Sequence, residues 1–116
     1  MEPASPARTP DPPYYAVIFT SLRTASDDAG YARAAVEMVE LARRQPGFLG
    51  VESAREPGGL GITVSYWDSL EAIAAWKAQA DHRGAQRLGR QRWYRSYELR
   101  VARVERASGF GRLPGP

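Results

Sequence analysis

One stretch concentrates the chemically capable side chains of this sequence: Ser65-Tyr66-Trp67-Asp68-Ser69-Leu70-Glu71-Ala72-Ile73-Ala74-Ala75-Trp76-Lys77, with His82 just beyond it. Its aromatic rings present flat apolar faces that could border a cavity for a planar molecule. His82 is the only histidine, and a histidine's ordinary pKa of about 6.5 lets it take and return a proton near neutral pH. Both groups can also be plain structure. A tryptophan on a helix stripe is often core, and His82 could simply begin a further helix. Zero cysteines exclude disulfides, thiolate metal sites and cysteine nucleophiles, and one histidine argues against a histidine-rich metal site.

The elements that must position these groups are legible in the chain. Tyr14–Leu22 is rich in aromatic and β-branched residues and follows a proline, which predicts a first strand. Tyr15, Val17 and Phe19 fall on one of its faces and Ala16, Ile18 and Leu22 on the other, so both faces need cover. Ser26-Asp27-Asp28 offers capping oxygens and early negative charge. From there Tyr31, Ala35, Met38, Leu41 and Ala42 recur at helical spacing until Pro46-Gly47 stops the helix. Phe48–Arg55 and Leu60–Trp67 predict a hairpin around Glu56-Pro57-Gly58-Gly59. Asp68 and Glu71 stand at capping-box spacing, ahead of a helix striped by Leu70, Ile73, Lys77 and Ala80 with Trp76 alongside. His82–Arg92 predicts a short further helix weakened by Gly84 and Gly89, and Trp93–Glu105 a long last strand. The order β-α-β-β-α-β is that of a ferredoxin-like α+β fold with an antiparallel sheet. Two helices cover one sheet face; a second copy of the sheet is the simplest cover for the other.

At 116 residues the chain has the size of one domain. Five prolines within residues 1–13 predict a disordered N-terminal tail, and the glycines and prolines of 107–116 a flexible C-terminal one. Residues 14–106 remain as the folded domain. Met1-Glu2-Pro3 lacks the basic and apolar regions of a signal peptide, and no apolar run approaches the ~20 residues that span a bilayer. A cytoplasmic protein without a membrane partner is expected. The net charge is +3, but from His82 to Arg106 eight arginines stand against two acids. Such a face can attract nucleic acid or anionic ligands, or can be merely a solvated surface. RNA-recognition domains share this element order, yet Leu60 and Ile62 stand where stacking aromatics are needed. No nucleic-acid partner is expected.

Gln45-Pro46-Gly47-Phe48-Leu49-Gly50, then Tyr66-Trp67-Asp68-Ser69 with Glu71-Ala72-Ile73 and Trp76, then His82, resemble the antibiotic biosynthesis monooxygenase (ABM) domain family. The resemblance covers nearly all of residues 14–106. It implies a dimeric α+β barrel, a homodimer through sheet faces, with a cavity between the sheet and helices of each protomer. It implies one of several roles: cofactor-free oxygenation of electron-rich polycyclic phenols, haem degradation, isomerase-like chemistry or a role not assigned. In the cofactor-free reaction a phenol or enol loses a proton so that its anion can pass an electron to oxygen, inside a dry aromatic pocket. On that footing His82 is the base, Trp76 stacks on the ring, and Tyr66, Tyr94 or Arg90 holds the oxyanion; no cofactor is expected. Quinone-forming and haem-degrading members typically use an asparagine, and this chain has none. Gln86 or an arginine would have to supply that donor. Haem-degrading members place their axial histidine about ten residues after the helix tryptophan, where this chain has Gln86. His82 comes six residues after Trp76, which argues against haem turnover. Two readings stand: an oxygenase acting on a hydrophobic aromatic, phenol- or quinol-like substrate, or a non-catalytic dimeric ligand-binding or accessory protein.

Overall fold

A four-stranded antiparallel sheet carries two helices on one face. The computed structural model describes residues 5–82, 84, 87 and 89–111, with only the backbone at His82. In chain order the elements are β1 (Tyr14–Arg23), α1 (Asp28–Arg43), β2 (Phe48–Arg55), β3 (Leu60–Trp67), α2 (Leu70–His82), a π-helical turn (Gly89–Trp93) and β4 (Tyr94–Val104). The strands lie in the order β2-β3-β1-β4. This is the ferredoxin-like α+β arrangement expected from the pattern of the chain. His82 closes α2 rather than opening the next helix, and a π-helical turn leads into β4.

Cross-strand register sorts the side chains. Val17 pairs with Ser65 and Val101, and Phe19 with Thr63 and Leu99. Ser53 and Arg55 on β2 stand opposite Thr63 and Gly61. All of these share the helix face, because directly opposed residues point the same way. Leu60, Ile62, Val64 and Tyr66 therefore face away from the helices. The helix-side core is Val17, Ala42, Trp67 and Ile73, with Tyr15, Phe48, Trp76 and Leu99 packed against it.

The caps are specific. Asp27 adopts a left-handed conformation (φ 55°) before α1, and its Oδ1 accepts from the Gly30 N–H at 3.1 Å. Its Oδ2 accepts from Trp93 Nε1–H at 3.1 Å, tying the helix start to the turn before β4. Between α1 and β2, Gly47 takes φ 90°, and a Cβ there would lie 2.5 Å from Asp68 Oδ1. The same glycine's carbonyl accepts from the Asp68 N–H at 2.9 Å. Asp68 thus belongs to the Gly47 turn, and the capping oxygen of α2 is Ser69 Oγ, which accepts from the Ala72 N–H at 3.1 Å. That hydroxyl and the third helical N–H have the spacing of an N-cap, one residue later than Asp68 and Glu71 suggested.

Residues ahead of β1 also meet the sheet. The Ala7 N–H donates to Glu52 Oε2 at 3.0 Å, and Thr9 Oγ1 donates to the Tyr14 hydroxyl at 2.8 Å. A Cβ on Gly50 would come 3.2 Å from Ala7 Cβ. This strap runs over the end of the sheet away from the helices, where Tyr14 and Ala16 are buried. At the other end of that face Leu60 and Ile62 stay 44% and 45% exposed.

The cap assignment is checked by urea unfolding. Ser69→Ala should cost about 1 kcal/mol, the usual loss for a serine N-cap, whereas Asp68→Ala should cost distinctly less.

Candidate functional site

Between the sheet and the two helices lies a cavity of about 450 Å³, within the range of roughly 300–1,000 Å³ common for small-molecule pockets. Its space follows from residue size. β3 turns Thr63 and Ser65 toward the helices where a buried strand more often carries valine or isoleucine, and α1 lines the roof with Ala32, Ala34, Ala35 and Ala42. The hydroxyls on the floor are engaged: Ser53 Oγ and Thr63 Oγ1 bond each other at 2.8 Å, and Ser65 Oγ accepts from Trp67 Nε1–H at 2.9 Å.

Aromatic side chains close both ends. At one end Trp67, with no exposed surface, packs its ring 5.3 Å from that of Trp76 and 5.5 Å from that of Phe48. At the other, Tyr94 stands edge-on to Phe19 at 5.3 Å and to Tyr31 at 5.9 Å, and Trp93 lies 6.1 Å from Tyr31. Two polar groups of the lining residues stand out. Trp76 lines the cavity, and its indole N–H is buried with no hydrogen-bond partner among the described residues. The Tyr94 phenol is pushed well above its usual range, first by burial and then by the Tyr31 hydroxyl beside it. It therefore stays protonated, a donor, through the neutral range.

Of the side chains singled out from the sequence, Trp76 and Tyr94 line this cavity. Arg90 reaches its edge, donating from Nη1 to the Tyr97 hydroxyl at 3.2 Å. Tyr66 lies on the opposite face of the sheet. Its hydroxyl donates to Glu52 Oε1 in a short hydrogen bond beneath the N-terminal strap, and burial together with that carboxylate raises its pKa. The strict alternation of β3 puts Tyr66 there, since its neighbours Ser65 and Trp67 face the helices. The His82 imidazole and Gln86 lie outside the described residues. Tyr31, Phe19, Tyr97 and Thr63 also line the cavity; their alternation and helical spacing carried the signal, but only as packing. Among the described residues no three of His, Cys, Asp and Glu converge as a metal site, and no helix is long and apolar enough to cross a membrane.

Residues 13–88 match the sequence profile of the antibiotic biosynthesis monooxygenase family. The chain belongs to that family. A curated relative, the uncharacterized protein YqjZ of Bacillus subtilis (strain 168), is 56% identical over 104 residues, covering 90% of each chain. Among solved structures, SnoaB, described as a cofactor-independent oxygenase from Streptomyces nogalater, superposes with a TM-score of 0.65 at 15% identity, over 90% of this chain and 100% of that one. Rv0793 from Mycobacterium tuberculosis gives a TM-score of 0.69 at 15% identity, over 82% and 99%. At such identities the likeness establishes the ABM fold.

The two shielded phenols of this ABM domain have a measurable consequence. Their pKa values are raised in the folded state, so the folded chain holds more protons than the unfolded one above the ordinary phenol value of about 10. Stability is unaffected below that pH and falls as pH rises beyond it. In an alkaline absorbance titration, Tyr66 and Tyr94 should ionise only with unfolding, and Tyr94→Phe should weaken the alkaline loss of stability.

Proposed function

We propose that this ABM domain is a small cofactor-independent oxygenase acting on a hydrophobic aromatic, phenol- or quinol-like substrate, with His82 as the base. The observation that carries the proposal is the apolar cavity with a buried, unpartnered Trp76 N–H. Leaving such a donor unsatisfied costs about 1–3 kcal/mol, and a ligand oxygen accepting from it removes that cost. In this reading the Trp76 ring borders the substrate, and its N–H, turned toward the cavity on binding, donates to the substrate oxygen. SnoaB's description as a cofactor-independent oxygenase supports the same reaction class.

The chemistry asks little more of the protein. The substrate, in the case of an anthrone, gives up a proton from its ring methylene to the base. The resulting enolate passes an electron to O₂, the radical pair combines as a hydroperoxide, and loss of water leaves a carbonyl. One O₂ thus supplies one oxygen to the product and one to water. The apolar lining limits the water around the reactive anion, while Trp76 Nε1–H and the Tyr94 hydroxyl are donors for its oxygen in this reading. His82, the last residue of α2 and the chain's only imidazole, is the base in this proposal.

A second reading, a non-catalytic ligand-binding or accessory domain, is favoured by the cavity lining, which among the described residues holds no carboxylate. The absence of asparagine points the same way. Metal-free protein incubated aerobically with anthrones and hydroquinones separates the two in an oxygen electrode. The oxygenase should consume oxygen, and His82→Ala should slow it about 100-fold or more, the scale of lost general-base catalysis. A compound that raises the melting temperature but is recovered unchanged, with no oxygen consumed, supports the second reading.

The proposed assembly is a homodimer through the sheet faces. Leu60 and Ile62 remain exposed on a face that the chain's own helices never reach, and a second sheet would bury them. Light scattering should give twice the mass of one chain, and Ile62→Lys should shift the population to monomer without unfolding it.

A further inference from the structure

Among the described residues the cavity lining holds one charged side chain, Lys77. Helical spacing puts it there. Ile73, Trp76, Lys77 and Ala80 fall at i, i+3, i+4 and i+7, the inward stripe of α2, and all four line the cavity. Ile73 and Ala80 are each 7% exposed, yet Lys77 between them is open to solvent. An inward position that stays exposed marks an opening, not a wall. On α1 Ala32 and Val36 show the same sign, since both line the cavity and both are exposed. These residues place the mouth of the cavity between the first half of α1 and the second half of α2.

A lysine lays its stem along apolar surface and keeps its ammonium in water, which puts the Lys77 charge at the rim of this mouth. Nothing else engages it. None of the carboxylates of the two helices (Asp28, Glu37, Glu40, Glu71 and Asp81) forms an ion pair with it, and Asp28 pairs with Arg23. The other titratable groups of the described lining are the phenols of Tyr31, Tyr94 and Tyr97, and Tyr94 keeps its proton. Arg23 and Arg55 set their guanidinium carbons 3.9 and 5.4 Å from the centre of the Tyr31 ring, but neither lines the cavity. Arg55 lies across Gly61, where a Cβ would sit 2.5 Å from its Cζ, and donates to the Gly59 carbonyl and Ser21 Oγ.

We propose that Lys77 is a specificity residue at the mouth: an aromatic ligand enters rings first between α1 and α2 and leaves an ionised phenolic oxygen at the rim, against the Lys77 ammonium. The proposal rests on the cavity being the ligand site, as in the oxygenase reading. A phenol with an ordinary pKa of about 10 arrives neutral, and apolar surroundings hold it neutral more firmly still. A cation a few ångströms from its oxygen, partly shielded from water, reverses that preference. The oxygen then stays on the α2 side, where Trp76 precedes Lys77 in the same turn. Methionine at position 77 would complete the apolar stripe and supply no charge.

The test uses 7-hydroxycoumarin, a bicyclic phenol whose anion absorbs at longer wavelength than its neutral form, and 7-methoxycoumarin, which cannot ionise. Both are titrated into the full-length protein over a range of pH. The ligand's own absorbance reports its charge, so titration of the tyrosines or of His82 is not mistaken for it. On the wild type, 7-hydroxycoumarin should bind more tightly as pH rises through its ionisation, while 7-methoxycoumarin binding stays constant. Affinity for the phenol that stays flat or falls overturns the proposal without any variant. Lys77→Met should raise the ionisation midpoint of the bound phenol by about one unit, tenfold in the ratio of anion to neutral form. It should leave 7-methoxycoumarin binding within about threefold, and Lys77→Arg, which keeps the charge, should hold the midpoint near that of the wild type. An unchanged midpoint in folded Lys77→Met overturns the role of Lys77 and leaves the cavity as the ligand site. An equal loss of both coumarins shows a packing role and overturns it too. If neither coumarin binds the wild type, the cavity reading fails and this proposal with it. Charge-selective binding without oxygen consumption on any anthrone retires the oxygenase and leaves Lys77 standing.

Discussion

The alternation of β3 governs the rest of the structure. It turns Gly61, Thr63 and Ser65 toward the helices and Leu60, Ile62, Val64 and Tyr66 away from them, the reverse of the usual apolar-in, polar-out arrangement of a half-covered sheet. A slip of one residue would exchange the two sets. The larger side chains would then fill the space beneath α1, and the path of Arg55 across Gly61 would close. The room inside the protomer and the apolar surface outside it are therefore two results of one register. The sheet gives up core packing on its covered face and leaves apolar side chains on its open one.

Much of this was legible in the residues because strands and helices differ in period. The two apolar faces of β1, the Glu56–Gly59 hairpin and the Pro46-Gly47 stop each carry their own local chemistry, and the observed elements follow them. The sequence pattern placed the α2 cap on Asp68 because Asp68 and Glu71 have the right spacing. Ser69 caps instead, since Asp68 is held against Gly47, a contact between residues twenty-one apart in the chain. Tyr66 drew attention as a phenol close to a tryptophan, and strand geometry sends it to the other face. Arg55 shows the limit of local pattern most plainly. As a strand-end arginine before a turn it looks like a solvated charge. Its setting depends on Gly61 one strand away, on Ser21 two strands away, and on Tyr31 from a helix. No spacing rule joins those four residues.

Membership of the ABM family and the fold leave the chemistry to a few groups, because one architecture serves many activities. Here the distinguishing features are an indole N–H without a partner, a phenol that keeps its proton and an ammonium without a carboxylate. All three can donate a hydrogen bond, and only the phenol can also accept one. An enclosure built this way selects for oxygen-bearing, electron-rich molecules by what it lacks as much as by what it offers.

The turn before β4 is fastened to the start of α1 by a set of hydrogen bonds. The Trp93 carbonyl accepts from the Thr24 N–H and from Arg23 Nε–H. The Arg92 carbonyl accepts from the Thr24 and Ser26 hydroxyls, and the Trp93 indole donates to the residue that caps the helix. Anything admitted at this end has to part that clasp, and parting it frees one oxygen of the carboxylate whose other oxygen caps α1. The stability of this wall is therefore tied to that of the first turn of α1, and a change that frays the helix start loosens the cavity's end with it.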